Sequence, residues 1–109
     1  MKRVWASVLL FMSASAVHAA DLFKVEPALW DRPRSARAVL EQPAVRQAIE
    51  LYLSRPGARL ILHHGYGQEP VLQAEELRLW LMALAVDGAR VSLVNDIKPQ
   101  ESMTIEVVK

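Results

Sequence analysis

The chain of 109 residues contains no cysteine. That excludes disulfide staples, a cysteine nucleophile and the cysteine-linked lipid anchor of bacterial lipoproteins. No apolar run approaches the ~20 residues needed to cross a bilayer as a helix. Internal repeats and low-complexity segments are also missing. So is a basic excess: 13 Lys and Arg face 12 Asp and Glu. Two of the basic residues, Lys2 and Arg3, sit at the extreme N-terminus. Without them 11 basic residues oppose 12 acidic ones, a formal charge of −1. Nothing is left to attract nucleic acid or an anionic membrane by charge.

What is present begins with a secretion pattern. Met1-Lys2-Arg3 is a short positive segment, Val4–Met12 (VWASVLLFM) a short apolar one, and SASAVHAA supplies the small residues a signal peptidase requires. Residues 1–19 are predicted to be a cleaved leader, with Ala19 the expected cleavage point and Ala20 the alternative. A mature chain of 90 residues, 20–109, then forms one domain in the periplasm. Without disulfides it must be held by its core alone.

Asp21–Glu26 alternates weakly, and a short strand is expected somewhere in 22–30. Ser35 is placed to cap a helical piece over Ala36–Glu41. Pro43 suits the first turn of a new helix, in which Val45, Ala48, Ile49, Tyr52 and Leu53 share one face. Arg55-Pro56-Gly57 stops it, and Ala58–His64 (ARLILHH) reads as a strand. After the loop GYGQEP comes a helix over Val71–Val86, with a core stripe of Leu77, Trp80, Leu81 and Leu84 and an outward pair of Glu75 with Arg78. Its second half has no polar residue, so Leu79 and Met82 must meet more protein or a partner, a homodimer seam being one option. Asp87-Gly88 ends that helix. Ala89–Val94 and Met103–Val108 read as strands around a polar loop, 95–101. The predicted fold class is α+β: a small two-layer sandwich in the order β-α-β-α-β-β, its mixed sheet carrying helices on one face.

The most chemically suggestive stretch is ILHHGYGQEP, residues 61–70. Imidazoles suit zinc or copper, and His63, His64 and Glu69 are candidate metal ligands, with a third partner for His64 and Glu69 still missing. Adjacent strand residues point to opposite faces, however, so the two rings do not readily grip one ion. The alternative is one histidine packed under a helix and one at the surface. Ser35, Ser54, Ser92 and Ser102 lie in no nucleophile motif, and the two glycines around Tyr66 lack both the spacing and the basic residue of a phosphate loop. No cofactor and no enzymatic activity are expected. Tyr66 reads as an exposed aromatic able to stack on a sugar or enter a partner's pocket.

The run LYLSRPGARLILHHG resembles the OmpA-like C-terminal domain, in which a helix ends at a proline-containing turn before a strand of the form R-hydrophobic-x-hydrophobic-x-G-H-T-D. Pro56, Arg59, Leu60 and Leu62 match that frame. WLMALAVDGARVSL is similar to the family's YLxxxGVxxxRVxx run through Trp80, Leu81, Val86, Arg90 and Val91, and MTIEVV to its closing strand. The resemblance covers roughly residues 28–108. It implies peptidoglycan binding, in which an Asp after the second strand and an Arg at the start of the next helix hold a zwitterionic diaminopimelate. The chain departs from the pattern there, since Gly67 stands at the Asp position and Leu72 or Gln73 at the Arg position. The resemblance therefore implies a degenerate domain with a binding or accessory role, taking either peptidoglycan or another envelope protein. Its candidate ligand residues are His64, Tyr66, Gln68, Glu69 and Arg78.

Overall fold

The structure is a computed structural model that describes residues 21–109. The expected leader and its cleavage site at Ala19 or Ala20 lie outside the described residues. Strand β1 (Asp21–Lys24) leads into a 3-10 turn, Pro27–Asp31. Helices α1 (Ala36–Glu41) and α2 (Pro43–Ser54), strand β2 (Arg59–Gly65) and helix α3 (Gln68–Ala83) follow. A second 3-10 turn, Gly88–Arg90, leads to β3 (Val91–Ile97) and β4 (Thr104–Val108). The order is thus β-α-β-α-β-β, with the first helical segment in two pieces.

The four strands form one mixed sheet in the order β1-β4-β2-β3. β2 and β3 run parallel, as the crossover through α3 requires, while β4 lies antiparallel to both β1 and β2. The last strand of the chain therefore fills the gap between the first two. The fold class is α+β, as the patterning predicts.

Local chemistry explains the breaks. Ser35 Oγ accepts the Ala38 N–H at 3.1 Å and starts α1. Gln42, extended ahead of Pro43, ends α1, and the proline opens α2. On α2 the residues Ala44, Val45, Ala48 and Ile49 are buried, whereas Leu53 is 64% exposed. The covered face is thus rotated from the expected stripe, taking in Ala44 and leaving Leu53 in water. The first strand is confined to residues 21–24, because Pro27 opens a 3-10 turn that buries Leu29.

Helix α3 starts three residues earlier than the pattern suggested and ends earlier too. Val86 N–H bonds to Leu81 O at 2.9 Å and Ala85 N–H to Met82 O at 3.1 Å, with Ala85 at φ +85°. This closure returns the buried Val86 over the buried Leu81. Asp87 is consequently not the terminator. Its side chain accepts the Ala89 N–H at 2.9 Å and caps the next 3-10 turn. β3 runs on to Ile97, through residues expected to be loop.

The helix-covered face of the sheet holds Leu60 and Leu62 of β2 with Ile105 and Val107 of β4, all at most 2% exposed. They pack with Val45, Ala48, Leu77 and Leu81 in one core. No helix among the described residues is long and apolar enough to cross a membrane.

Candidate ligand cleft

The alternation of β2 carries from Leu60 and Leu62 to His64, which is buried at 6% exposure. The chain then leaves the sheet through Gly65, Tyr66 and Gly67 and enters α3 at Gln68. Gly67 has φ +98° and ψ 161°, a conformation essentially reserved for glycine. A Cβ there would meet only Pro70 Cδ at 3.6 Å, so backbone conformation rather than space demands the glycine. This is the position to which the resemblance assigns the ligand Asp, and its backbone disfavours any side chain.

Four segments meet around this turn and enclose a cleft of about 430 Å³. His64, Gly65 and Tyr66 form its floor and one rim, with Glu69, Pro70 and Gln73 of α3 beside them. Val25, Pro27, Trp30 and Asp31 come from the segment after β1, and residues 99–103 from the connection between β3 and β4. Tyr66 is 68% exposed at the rim. Asp31, Glu69 and Glu101 line the cleft, and among the described residues no Lys or Arg does. The His64 ring donates through Nδ1 to Gly65 O at 3.0 Å. A carbonyl only accepts, so the proton is on Nδ1. Among the described residues no hydrogen bond reaches Nε2. Ser102 also lines the cleft, but no hydrogen bond among the described residues joins its hydroxyl to His64, so no serine–histidine pair forms there.

A second hollow adjoins the first and shares Trp30, Glu69 and Gln73 with it. Gln68 lines this second hollow. Its wall is held by Arg34, which donates to Glu76 through Nε at 2.8 Å and Nη2 at 3.0 Å. Arg34 also lies over the Trp30 ring at 5.2 Å, and Trp80 Nε1 donates to Glu76 Oε2 at 2.9 Å. The hydrogen bonds from Arg34 outweigh partial burial and hold the Glu76 carboxyl below its usual range. This network ties the segment after β1 to α3 and positions Trp30 between the two hollows.

His63 belongs to the other side of the sheet. Its Nε2 bonds to Glu106 Oε1 at 2.8 Å, and its Nδ1 lies 2.9 Å and 3.0 Å from the two oxygens of Asp96. The β2–β3 register slips between His64 and Gly65, leaving Asp96 without a partner on β2. Partial burial opposes charge on His63, but the hydrogen bonds of Glu106 and Asp96, with their negative charges, prevail and raise its pKa. With a carboxylate at each nitrogen, the ring joins β2, β3 and β4.

Of the residues singled out in the sequence, the fold brings His64, Tyr66 and Glu69 to one cleft and Gln68 to its neighbour. Arg78 is a correction. Its Nη2 donates to Gly88 O at 3.1 Å, in the 3-10 turn that follows α3. It does not line the cleft. The expected Glu75–Arg78 pair does not form, and Glu76 carries the ion pair of this helix instead. Leu79 and Met82 are 61% and 41% exposed on α3, and Met82 leans on Gly88, where an added Cβ would come within 3.0 Å of its sulfur. The metal candidates do not converge, because His63 and His64 occupy opposite faces and Glu69 lies on the cleft side. Among the described residues no group of three ligating side chains is placed to hold an ion. Trp30, Asp31 and Glu101 were not legible as site residues, since only the β1-β4-β2 adjacency brings their segments to the end of β2. The chain matches no protein-family model, and neither the curated proteins nor the solved structures give a significant match.

Proposed function

We infer that the chain is a small, non-enzymatic binding module of the bacterial cell envelope, delivered to the periplasm by its leader and built on a degenerate OmpA-like domain. The observation that carries this reading is the cleft. It is concave, it lies where β2 gives way to α3, and four segments of the chain build it. Its volume, about 430 Å³, falls in the range of small-ligand sites. Its lining offers hydrogen-bond acceptors and two aromatic side chains but no paired nucleophile and base. The element order and the mixed sheet support the OmpA-like reading. With no Lys or Arg in the lining among the described residues, a binding role other than the family's standard grip on a zwitterionic wall peptide is favoured.

A photo-crosslinking amino acid at position 66 tests this in living cells. Discrete adducts from position 66, with none from the exposed Arg46 on α2, are the expected result. Adducts that sediment with purified sacculi would identify peptidoglycan as the ligand, and adducts with a protein would identify an envelope partner. Equal, diffuse labelling from positions 66 and 46 would overturn the proposal.

A further inference from the structure

Helix α3 has two unlike faces. Ala74, Leu77 and Leu81 are buried in the core. The opposite face carries Leu72, Glu75, Leu79 and Met82, all exposed. Its three apolar side chains are 55%, 61% and 41% exposed, in chain order. The spacing along this face, three then four then three residues, is that of a coiled-coil seam, which keeps one stripe facing a second helix. A lone exposed leucine such as Leu53 is ordinary surface, but three large apolar side chains in one seam are not.

The stripe is complementary to its own reverse. Leu72 stands five residues before Leu77 and Met82 five after it, while Glu75 stands two before and Leu79 two after. A twofold axis crossing α3 at the level of Leu77 therefore sets Leu72 against Met82 of a second copy, and Glu75 against its Leu79. Charge selects this direction. Arg78 flanks the seam beside Leu79, so in the antiparallel pair each Glu75 carboxylate meets the guanidinium of the second copy's Arg78. A parallel pair would set Glu75 against Glu75 instead. Among the described residues neither Glu75 nor Arg78 has an ion-pair partner. Arg78 keeps donors beyond the Nη2 bond to Gly88 O. The seam also has room for its knob. Leu72 lines the hollow of about 440 Å³ that Trp30 and Gln73 help to enclose, and an unbranched thioether such as Met82 suits an irregular gap beside an aromatic ring.

We propose that α3 pairs antiparallel with α3 of a second copy, forming a homodimer through Leu72, Leu79 and Met82, with Glu75 and Arg78 setting the direction. One helix face supplies less than the ~800 Å² per partner of a standard stable interface, so the dimer is reversible and depends on concentration. It forms whether or not the cleft holds a ligand.

Sedimentation of the purified protein from about 10 μM to about 1 mM tests this, and a mass rising from monomer towards dimer is expected. Leu79→Glu is expected to weaken association about tenfold or more. Leu53→Glu, at a similarly exposed leucine on α2, is expected to leave it unchanged. Glu75→Arg is also expected to weaken it, because the new charge would face Arg78 of the second copy. The absence of native cysteine lets disulfides report the direction without background. Oxidising a mixture of Leu72→Cys and Met82→Cys chains should give the mixed disulfide. Leu72→Cys alone should give little, since its two copies lie about 15 Å apart along antiparallel helices. Monomer mass at every concentration, equal effects of Leu79→Glu and Leu53→Glu, or efficient self-linking of Leu72→Cys would overturn the proposal. A monomer that crosslinks from position 79 to a different protein in cells would overturn it too and assign this face to an unlike partner.

Discussion

His63 and His64 are neighbours on β2, yet the pleat of the strand gives them different chemistry. His64 turns under the helices, lines the cleft and donates one N–H to Gly65 O. His63 turns to the uncovered side, where Asp96 and Glu106 hold both of its nitrogens. One ring lines a concave surface, and the other joins two carboxylates between strands. Identity of the residue decided neither role. The face of the sheet and the neighbours brought to it decided both.

Several substitutions break or sharpen that contrast. The largest effect is expected on the covered face, where Leu62 is fully buried. Leu62→Ala should cost about 2–5 kcal/mol in urea unfolding, while Ile61→Ala, one residue away on the open face, should cost less than half as much. Equal losses would erase the distinction between the faces.

At the end of the strand, Gly67→Asp would introduce the acid that the OmpA-like resemblance expects there but place a side chain at φ +98°. It should destabilise the protein by about 1–3 kcal/mol. Retention of full stability would show that the turn relaxes to a conformation open to other residues.

On the open face, His63→Gln should cost about 1–2 kcal/mol near pH 6, where the wild-type ring is charged and bonded at both nitrogens. The folded pKa is raised, so the stabilisation is complete below the unfolded value of about 6.5 and is lost as pH rises through the folded one. The gap between wild type and variant should therefore narrow with rising pH. A gap independent of pH would assign His63 a packing role only.

The smallest stability effect belongs to the cleft rim. Tyr66→Ala should change stability by less than about 0.5 kcal/mol, because the side chain is 68% exposed. The proposed binding role requires that it nevertheless reduce retention of the protein in the cell envelope, measured by fractionation. A large stability loss would mean that Tyr66 is a structural residue.

Much of the fold was legible because it rests on local periodicity. The apolar spacing of Val45, Ala48 and Ile49, the Pro43 start and the alternation of Leu60, Leu62 and His64 are properties of short segments. The errors fell where a tertiary contact overrides a local signal. The Asp87-Gly88 pair looked like a helix stop, but burial of Val86 against Leu81 ends α3 first. Arg78 looked available to a ligand, but the carbonyl of Gly88, in the turn that follows α3, accepts its guanidinium. Residues 95–97 looked like loop, but pairing with β2 extends the strand.

The sequence by itself determined the α+β class and the element order, because strand and helix periods are written in the spacing of apolar residues. It also marked His64, Tyr66 and Glu69 as residues worth attention, because they surround the strand-to-helix turn. Only the tertiary structure decided that β4 lies between β1 and β2. That arrangement brings Trp30, Asp31 and Glu101 to the cleft and sets Glu106 and Asp96 against His63. Pairing between strands distant in the chain is set by burial of the whole sheet against its helices, and no local pattern encodes which strand will be the neighbour.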